Sequence, residues 1–167
     1  MESYIHDVKE NMTQSGRSIH DVVVLPSSSI TSYHIYRIKP IPLKPLHVFR
    51  DRNNPVHANA MEVKVPYCSS SMAEATLTNA DGLTMLSLSR SRVGYVPRAL
   101  ANKFVELLSS GYVSNIIAMY TGTILHLGPV TGRGPQLECF YLLKCNDVEQ
   151  CLAALSGQYH PSRLVHY

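Results

Sequence analysis

Phe49-Arg-Asp-Arg-Asn-Asn-Pro-Val-His-Ala-Asn-Ala-Met-Glu-Val63 decides how this chain folds. Leu46 to Arg50 and Ala60 to Val65 read as two strands, joined by the polar stretch Asp51 to Asn59. Asn53, Asn54 and Pro55 build a tight turn, and Asn59 can hydrogen-bond neighbouring backbone before Ala60 enters the second strand. The polar turn residues read first as architecture and second as ligand contacts.

Further along, Arg92-Val-Gly-Tyr-Val-Pro-Arg-Ala-Leu-Ala101 carries a strand into a helix. Gly94 permits close approach of backbone or ligand. Pro97 suits a first helical position, Leu100, Phe104, Leu107 and Leu108 recur at helical spacing, and Gly111 can close the helix. Free amides at its start, with Arg98 on the first turn, offer a site for an anion; the plainer alternative is a start capped by water.

The rest of the chain extends this β pattern. Residues 1 to 19 read as a tail, His20 to Leu25 as a strand ended by Pro26-Ser-Ser-Ser29, and Tyr33 to Ile38 as a second strand with His34 and Tyr36 on one side. Prolines 40, 42 and 45 impose an extended crossing. Between Pro66 and Ser91 lies an enlarged hairpin with a turn at Asn79-Ala-Asp-Gly82 and a strand candidate at Leu83 to Leu88. Val113 to Leu127 and Leu137 to Lys144 are long apolar strands separated by the glycine-rich connection Gly128 to Pro135. Asn146 with Glu149 predicts a capped final helix that Gly157 stops.

The sum is a mainly β fold: an OB-like or SH3-like barrel of about six to eight strands with two α-helices. The expected organisation is a tail (1–19), a barrel domain (20–145) with an insertion at 66–91, and a C-terminal helix and tail (146–167) packed on the domain.

Composition bounds the function. The 167 residues, 45% hydrophobic, suffice for one sizeable core, and no apolar run approaches the length of a membrane span. The N-terminus mixes both charge signs without an apolar segment, so a nuclear or cytoplasmic rather than secreted protein is expected. Four cysteines, none in a C-x-x-C pair, fit reduced thiols better than a zinc site or a disulfide frame, so neither metal nor cofactor is expected. The net charge is only +3, yet residues 37 to 103 hold ten bases against four acids. A polyanion partner fits that segment, as does simple solubilisation.

The two blocks resemble the signature blocks of the HIRAN domain, a small β-rich module that in SWI/SNF-type fork-remodelling translocases captures the 3′-hydroxyl end of single-stranded DNA. The likeness spans roughly Ser29 to Cys145. Asn54-Pro-Val-His-Ala-Asn-Ala-Met61 follows the family's Asn-Pro-x-Asp-x-Asn-Ala-Ile/Val in all but the aspartate, and Val93-Gly-Tyr-Val resembles its Val-Gly-x-Leu. The resemblance sets His34, Ile35 and Tyr36 opposite an Arg-Tyr-Tyr-like segment, Val56 and His57 opposite a Tyr-Asp pair, and Phe140 near a late aromatic. Ile35 and Val56 thus lack aromatic platforms, each worth about 1–3 kcal/mol per stacked base. His57 replaces a carboxylate able to accept a bond from a 3′-hydroxyl, a task open to a neutral imidazole through one nitrogen.

No G-x-x-x-x-G-K-[ST] loop, paired carboxylates or helicase, RING or nuclease motif is present, so a non-catalytic module is expected. The resemblance implies binding of single-stranded DNA, including its 3′ end, in DNA repair or replication, beside a larger repair or remodelling protein. Lys44, Arg50, Arg92 and Arg98 are the expected phosphate contacts, Tyr36, Tyr95 and Phe140 the stacking faces, and His34, Val56 and His57 the remaining candidates. The alternative is a protein-interaction module that has lost the DNA pocket.

Overall fold

The structure, a computed structural model, describes residues 21–126 and 134–163. The expected N-terminal tail, His20, most of the glycine-rich connection and the last four residues lie outside the described residues.

Among the described residues seven strands form one antiparallel sheet: β1 (Val22–Ile30), β2 (Pro45–Arg50), β3 (Met61–Lys64), β4 (Arg92–Tyr95), β5 (Val113–Leu125), β6 (Gln136–Cys145) and the short β7 (Ser162–Arg163). Their order is β4-β3-β2-β5-β6-β1-β7. The sheet curls until its ends meet. Beyond β1, Thr31 N–H donates to the Tyr95 carbonyl at 2.8 Å, and Tyr95 N–H returns a bond to Thr31 at 3.1 Å. Gly94 makes that seam possible, because a Cβ there would sit 2.1 Å from the Thr31 carbonyl oxygen and 2.8 Å from Ile30 Cγ2. The close approach expected at this glycine is backbone meeting backbone.

The barrel is filled from inside and plugged by helices. Val23, Leu25, Met61, Val63, Val93, Ala118, Tyr141 and Leu143 are among its buried side chains. The helix Arg98–Ser109 seats Leu100, Ala101, Phe104 and Leu107 on this core, where Phe104 meets Tyr141 edge-on at 5.3 Å. It ends as the sequence predicts: Gly111, at φ +75°, donates to Leu108, and Tyr112 donates to Leu107, the paired bonds of a Schellman closure. Pro97 is its N-cap rather than its first helical residue. The last helix, Val148–Leu155, buries Val148, Cys151 and Leu155.

Four further expectations need correction. Tyr33 to Ile38 is not a strand: Tyr33–Tyr36 is a single helical turn, α1, bracketed by left-handed Ser32 (φ 68°) and Arg37 (φ 54°). Its aromatic and β-branched composition favours strands, but the Thr31–Tyr95 seam has already paired the edge of β4, and tertiary context overrides propensity. Leu83 to Leu88 is likewise helical over Met85–Leu88 (α2), because Thr84 Oγ1 accepts from Ser87 N–H at 3.1 Å and caps it. The two longer helices are therefore α3 (Arg98–Ser109) and α4 (Val148–Leu155). Pro26 does not end β1, which continues to Ile30 through a bulge between Leu25 and Ser28, with Ser27 at φ 52°. A bulge is where a strand tolerates a missing amide. The cap of α4 is Asp147, accepting from Gln150 N–H, not Asn146, whose side chain instead donates to the Gly111 carbonyl.

The enlarged hairpin leaves the barrel between β3 and β4. Val65 N–H donates to Ser91 and Arg90 N–H to Val65, which closes its neck. The expected turn at its far end forms around buried Asn79, whose Oδ1 accepts from Asp81 and Leu83 N–H and whose Nδ2 donates to the Lys39 carbonyl. That last bond ties the insertion to the proline-rich crossing.

Candidate functional site

The pairing of β2, β3 and β4 dictates what their outer face displays. Leu46, Val48, Met61 and Val63 point into the core, so His47, Phe49, Glu62 and Lys64 point away from it. Phe49 pairs with Glu62 and Glu62 with Tyr95; His47 pairs with Lys64 and Lys64 with Arg92. Arg92 and Tyr95 share this face although three residues apart, because the β3–β4 register shifts between Val63 and Lys64.

Arg92 organises the face. Its guanidinium pairs with the Glu62 carboxylate, Nε to Oε2 at 2.8 Å, and Nη1 donates to the Tyr36 hydroxyl at 3.4 Å. It also lies 5.8 Å from the Tyr36 ring centre and 5.4 Å from that of Tyr95, and the two rings stand 6.3 Å apart with a 46° tilt. Cation and rings thus attract one another electrostatically. Glu62 is only 5% exposed and needs its partners: Lys64 Nζ is 3.3 Å from its other oxygen and 5.3 Å from the Phe49 ring centre. One buried carboxylate therefore holds two cations against three aromatic rings. The Tyr36 hydroxyl first, and Glu62 next, make the Arg92 guanidinium still harder to deprotonate.

Tyr95 links this face to the corner between β2 and β3. Its hydroxyl donates to Asp51 Oδ2 at 2.8 Å, which holds the Asp51 carboxyl below its ordinary range, helped by the Asn53 amide and the charge of Arg92. Burial, then the bond to Asp51, raises the Tyr95 hydroxyl well above its ordinary value. Within the corner, Asn54 Oδ1 accepts from Val56 and His57 N–H at 2.9 and 3.0 Å, an Asx turn where the sequence predicts a tight turn. Asn59 is the hub. Its N–H donates to His57 Nδ1 at 3.2 Å, its Oδ1 accepts from Arg50 Nη2 at 3.3 Å, and its Nδ2 donates to Asn102 Oδ1 on α3 at 3.2 Å.

The structure thus gathers Tyr36, Arg92 and Tyr95 directly, with Arg50, Val56 and His57 in the adjoining corner. Arg98 is exposed at the start of α3, one turn from Asn102 on the same helix face. Three residues lie apart. His34, also on α1, packs against Gly134, where a Cβ would come within 2.7 Å of its Nδ1. Lys44 lines a cleft with Pro66, Tyr67 and Glu74 of the insertion. Phe140 sits on the outer face of β6 with Val22, Ile117, Met119 and Leu142, a cluster that includes none of Tyr36, Arg92 and Tyr95.

A solved structure resembles this fold. The crystal structure of the HIRAN domain of human HLTF is similar, with a TM-score of 0.46 and 15% identity, over 82% of this chain and 92% of that one. No protein-family model and no curated protein matches the chain.

Sequence reasoning missed Phe49, Glu62, Lys64 and Asn102. Alternation along His47-Val-Phe49 and Glu62-Val-Lys64 was the available signal for the first three, but only the register shows that they adjoin Arg92. Asn102 carried no signal. Among the described residues no cluster of His, Cys, Asp or Glu gathers to hold a metal, and no helix is long and apolar enough to cross a membrane.

Proposed function

We propose that this chain is a non-catalytic module that binds single-stranded nucleic acid, DNA in the first instance, across the outer face of β2–β4, with the corner at Asp51 to Asn59 receiving the strand's 3′ end. The observation that carries the reading is the Tyr36–Arg92–Tyr95 cluster, continued by Lys64 over Phe49. Aromatic faces interleaved with fixed cations suit alternating bases and phosphates, and stacking needs no sequence preference. Arg50, Arg92 and Arg98 serve phosphates; Tyr36, Phe49 and Tyr95 serve bases. The likeness of Asn54 to Met61 and Val93 to Val96 to the HIRAN blocks supports the DNA end as ligand and a targeting task in repair or replication beside a larger protein, in the nucleus or cytoplasm.

Fluorescence anisotropy with a short labelled single strand tests this at several salt concentrations. Binding should weaken with salt, and Arg98→Ala should lower the slope of log affinity against log salt by about 0.7. An unchanged slope removes Arg98 from the interface, and no binding at low salt removes the reading.

A second reading, a protein-interaction module, rests on a different observation: Tyr67, Met72, Leu77, Leu83 and Leu86 of the insertion are all exposed. Scattered singly such residues mean little, but five exposed within one insertion are more than solubility calls for, and partners cover such side chains.

A further inference from the structure

The corner holds a buried side-chain donor without a partner among the described residues. Because Asn59 N–H donates to His57 Nδ1, that nitrogen carries the lone pair, and in the neutral ring the proton sits on Nε2. His57 Nε2 is closed to solvent and has no hydrogen-bond partner among the described residues. A buried donor left unmade is destabilising. The acceptor role expected of this imidazole is already filled by a backbone amide.

The side-chain acceptors around it are likewise engaged. Asp51 takes the Tyr95 hydroxyl on Oδ2 and the Asn53 amide on Oδ1. Asn54 Oδ1 takes two amides, Asn59 Oδ1 takes Arg50, and Asn102 Oδ1 takes Asn59. Spare side-chain donors stand beside them: His57 Nε2–H, the remaining N–H groups of Arg50, and Arg98 one turn from Asn102. Among the described residues neither arginine has a carboxylate within ion-pair distance. A hydroxyl that donates must share side-chain acceptors that already hold a bond, whereas an anion has the spare N–H groups of Arg50 and Arg98 and the imidazole N–H to draw on.

We infer that the corner formed by Arg50, His57 and Arg98 takes a phosphate group and favours a strand ending in a 3′-phosphate over one ending in a 3′-hydroxyl. This rests on the single-strand reading above. The ring is half-buried and its Nε2 shut off, so the loop must yield slightly to admit the phosphate oxygen, which then completes the missing bond. A phosphodiester inside the strand offers related oxygens, so the experiment must separate terminal from internal phosphate.

Three internally labelled strands of one sequence, ending in a 3′-hydroxyl, in a 3′-phosphate, or in a 5′-phosphate with a 3′-hydroxyl, are compared by anisotropy. The 3′-phosphate strand should bind about tenfold more tightly than the other two, as a charge-assisted bond allows. His57→Gln, which keeps a side-chain N–H, should preserve much of the preference, and His57→Asp should abolish or reverse it. Equal binding of all three strands, or preference for the hydroxyl, overturns the inference and leaves the single-strand reading standing. Binding of none overturns both.

Discussion

The outer face of β2–β4 and the 66–91 insertion both present apolar side chains to solvent, but in different company. On the first of these, Phe49 and Tyr95 of the strands and Tyr36 of α1 are each touched by a cation, and those cations are anchored to one buried carboxylate. In the insertion, Met72, Leu77, Leu83 and Leu86 stand exposed with no such framework, and only Tyr67 has a cation, Arg90, at 4.8 Å. The difference is one of preorganisation. Fixed rings and fixed charges form a surface matched to stacked bases and phosphates, whereas a plain apolar surface matches other apolar surface.

The comparison breaks most completely if the sheet cannot close. Gly94→Ala places a methyl group against the Thr31 carbonyl and Ile30, and should cost about 3 kcal/mol or abolish folding, read from the denaturant midpoint. Removing the cation is gentler. Arg92→Ala leaves buried Glu62 with Lys64 as its remaining ion-pair partner and should cost about 1–2 kcal/mol, with a double-mutant cycle against Glu62→Gln recovering most of that as coupling. Tyr36→Ala should cost about 1–3 kcal/mol of single-strand affinity. Leu77→Ser with Leu86→Ser, made on the other region, should leave that affinity within about twofold. The reverse pattern would hand the ligand to the insertion.

Acid sharpens the contrast further. The fold favours the charged form of Asp51, lowering its carboxyl below 3.8, so its contribution is fully present above that value and is lost as pH falls through the lower folded value. Thermal denaturation below about pH 4 should therefore fall more steeply in the wild type than in Asp51→Asn. Parallel curves would separate the corner from the stability of the barrel.

The hairpin around Asn54, α3 and its closure at Gly111 were legible in the sequence because each depends on local chemistry: an Asx turn, a helical period, a left-handed glycine. Tyr33 to Tyr36 and Met85 to Leu88 misled because four-residue turns carry no period, and their neighbours were decided by the seam at Thr31 and the cap at Thr84. Of the candidate site, Tyr36, Arg92 and Tyr95 were legible as residue types, but their grouping depends on the register shift in β4, which no local pattern encodes. Phe140 looked equivalent to them on composition, yet it belongs to a different stretch of the sheet.

The most direct test of where the ligand sits is a set of ¹H–¹⁵N amide spectra of the protein recorded as a short single strand is added. Shifts concentrated at Tyr36, Phe49 to Asn59, Glu62 to Lys64 and Arg92 to Asn102, with the insertion from Tyr67 to Ser89 unmoved, are the predicted result. Shifts centred on the insertion, or none under conditions of low salt, would contradict the account.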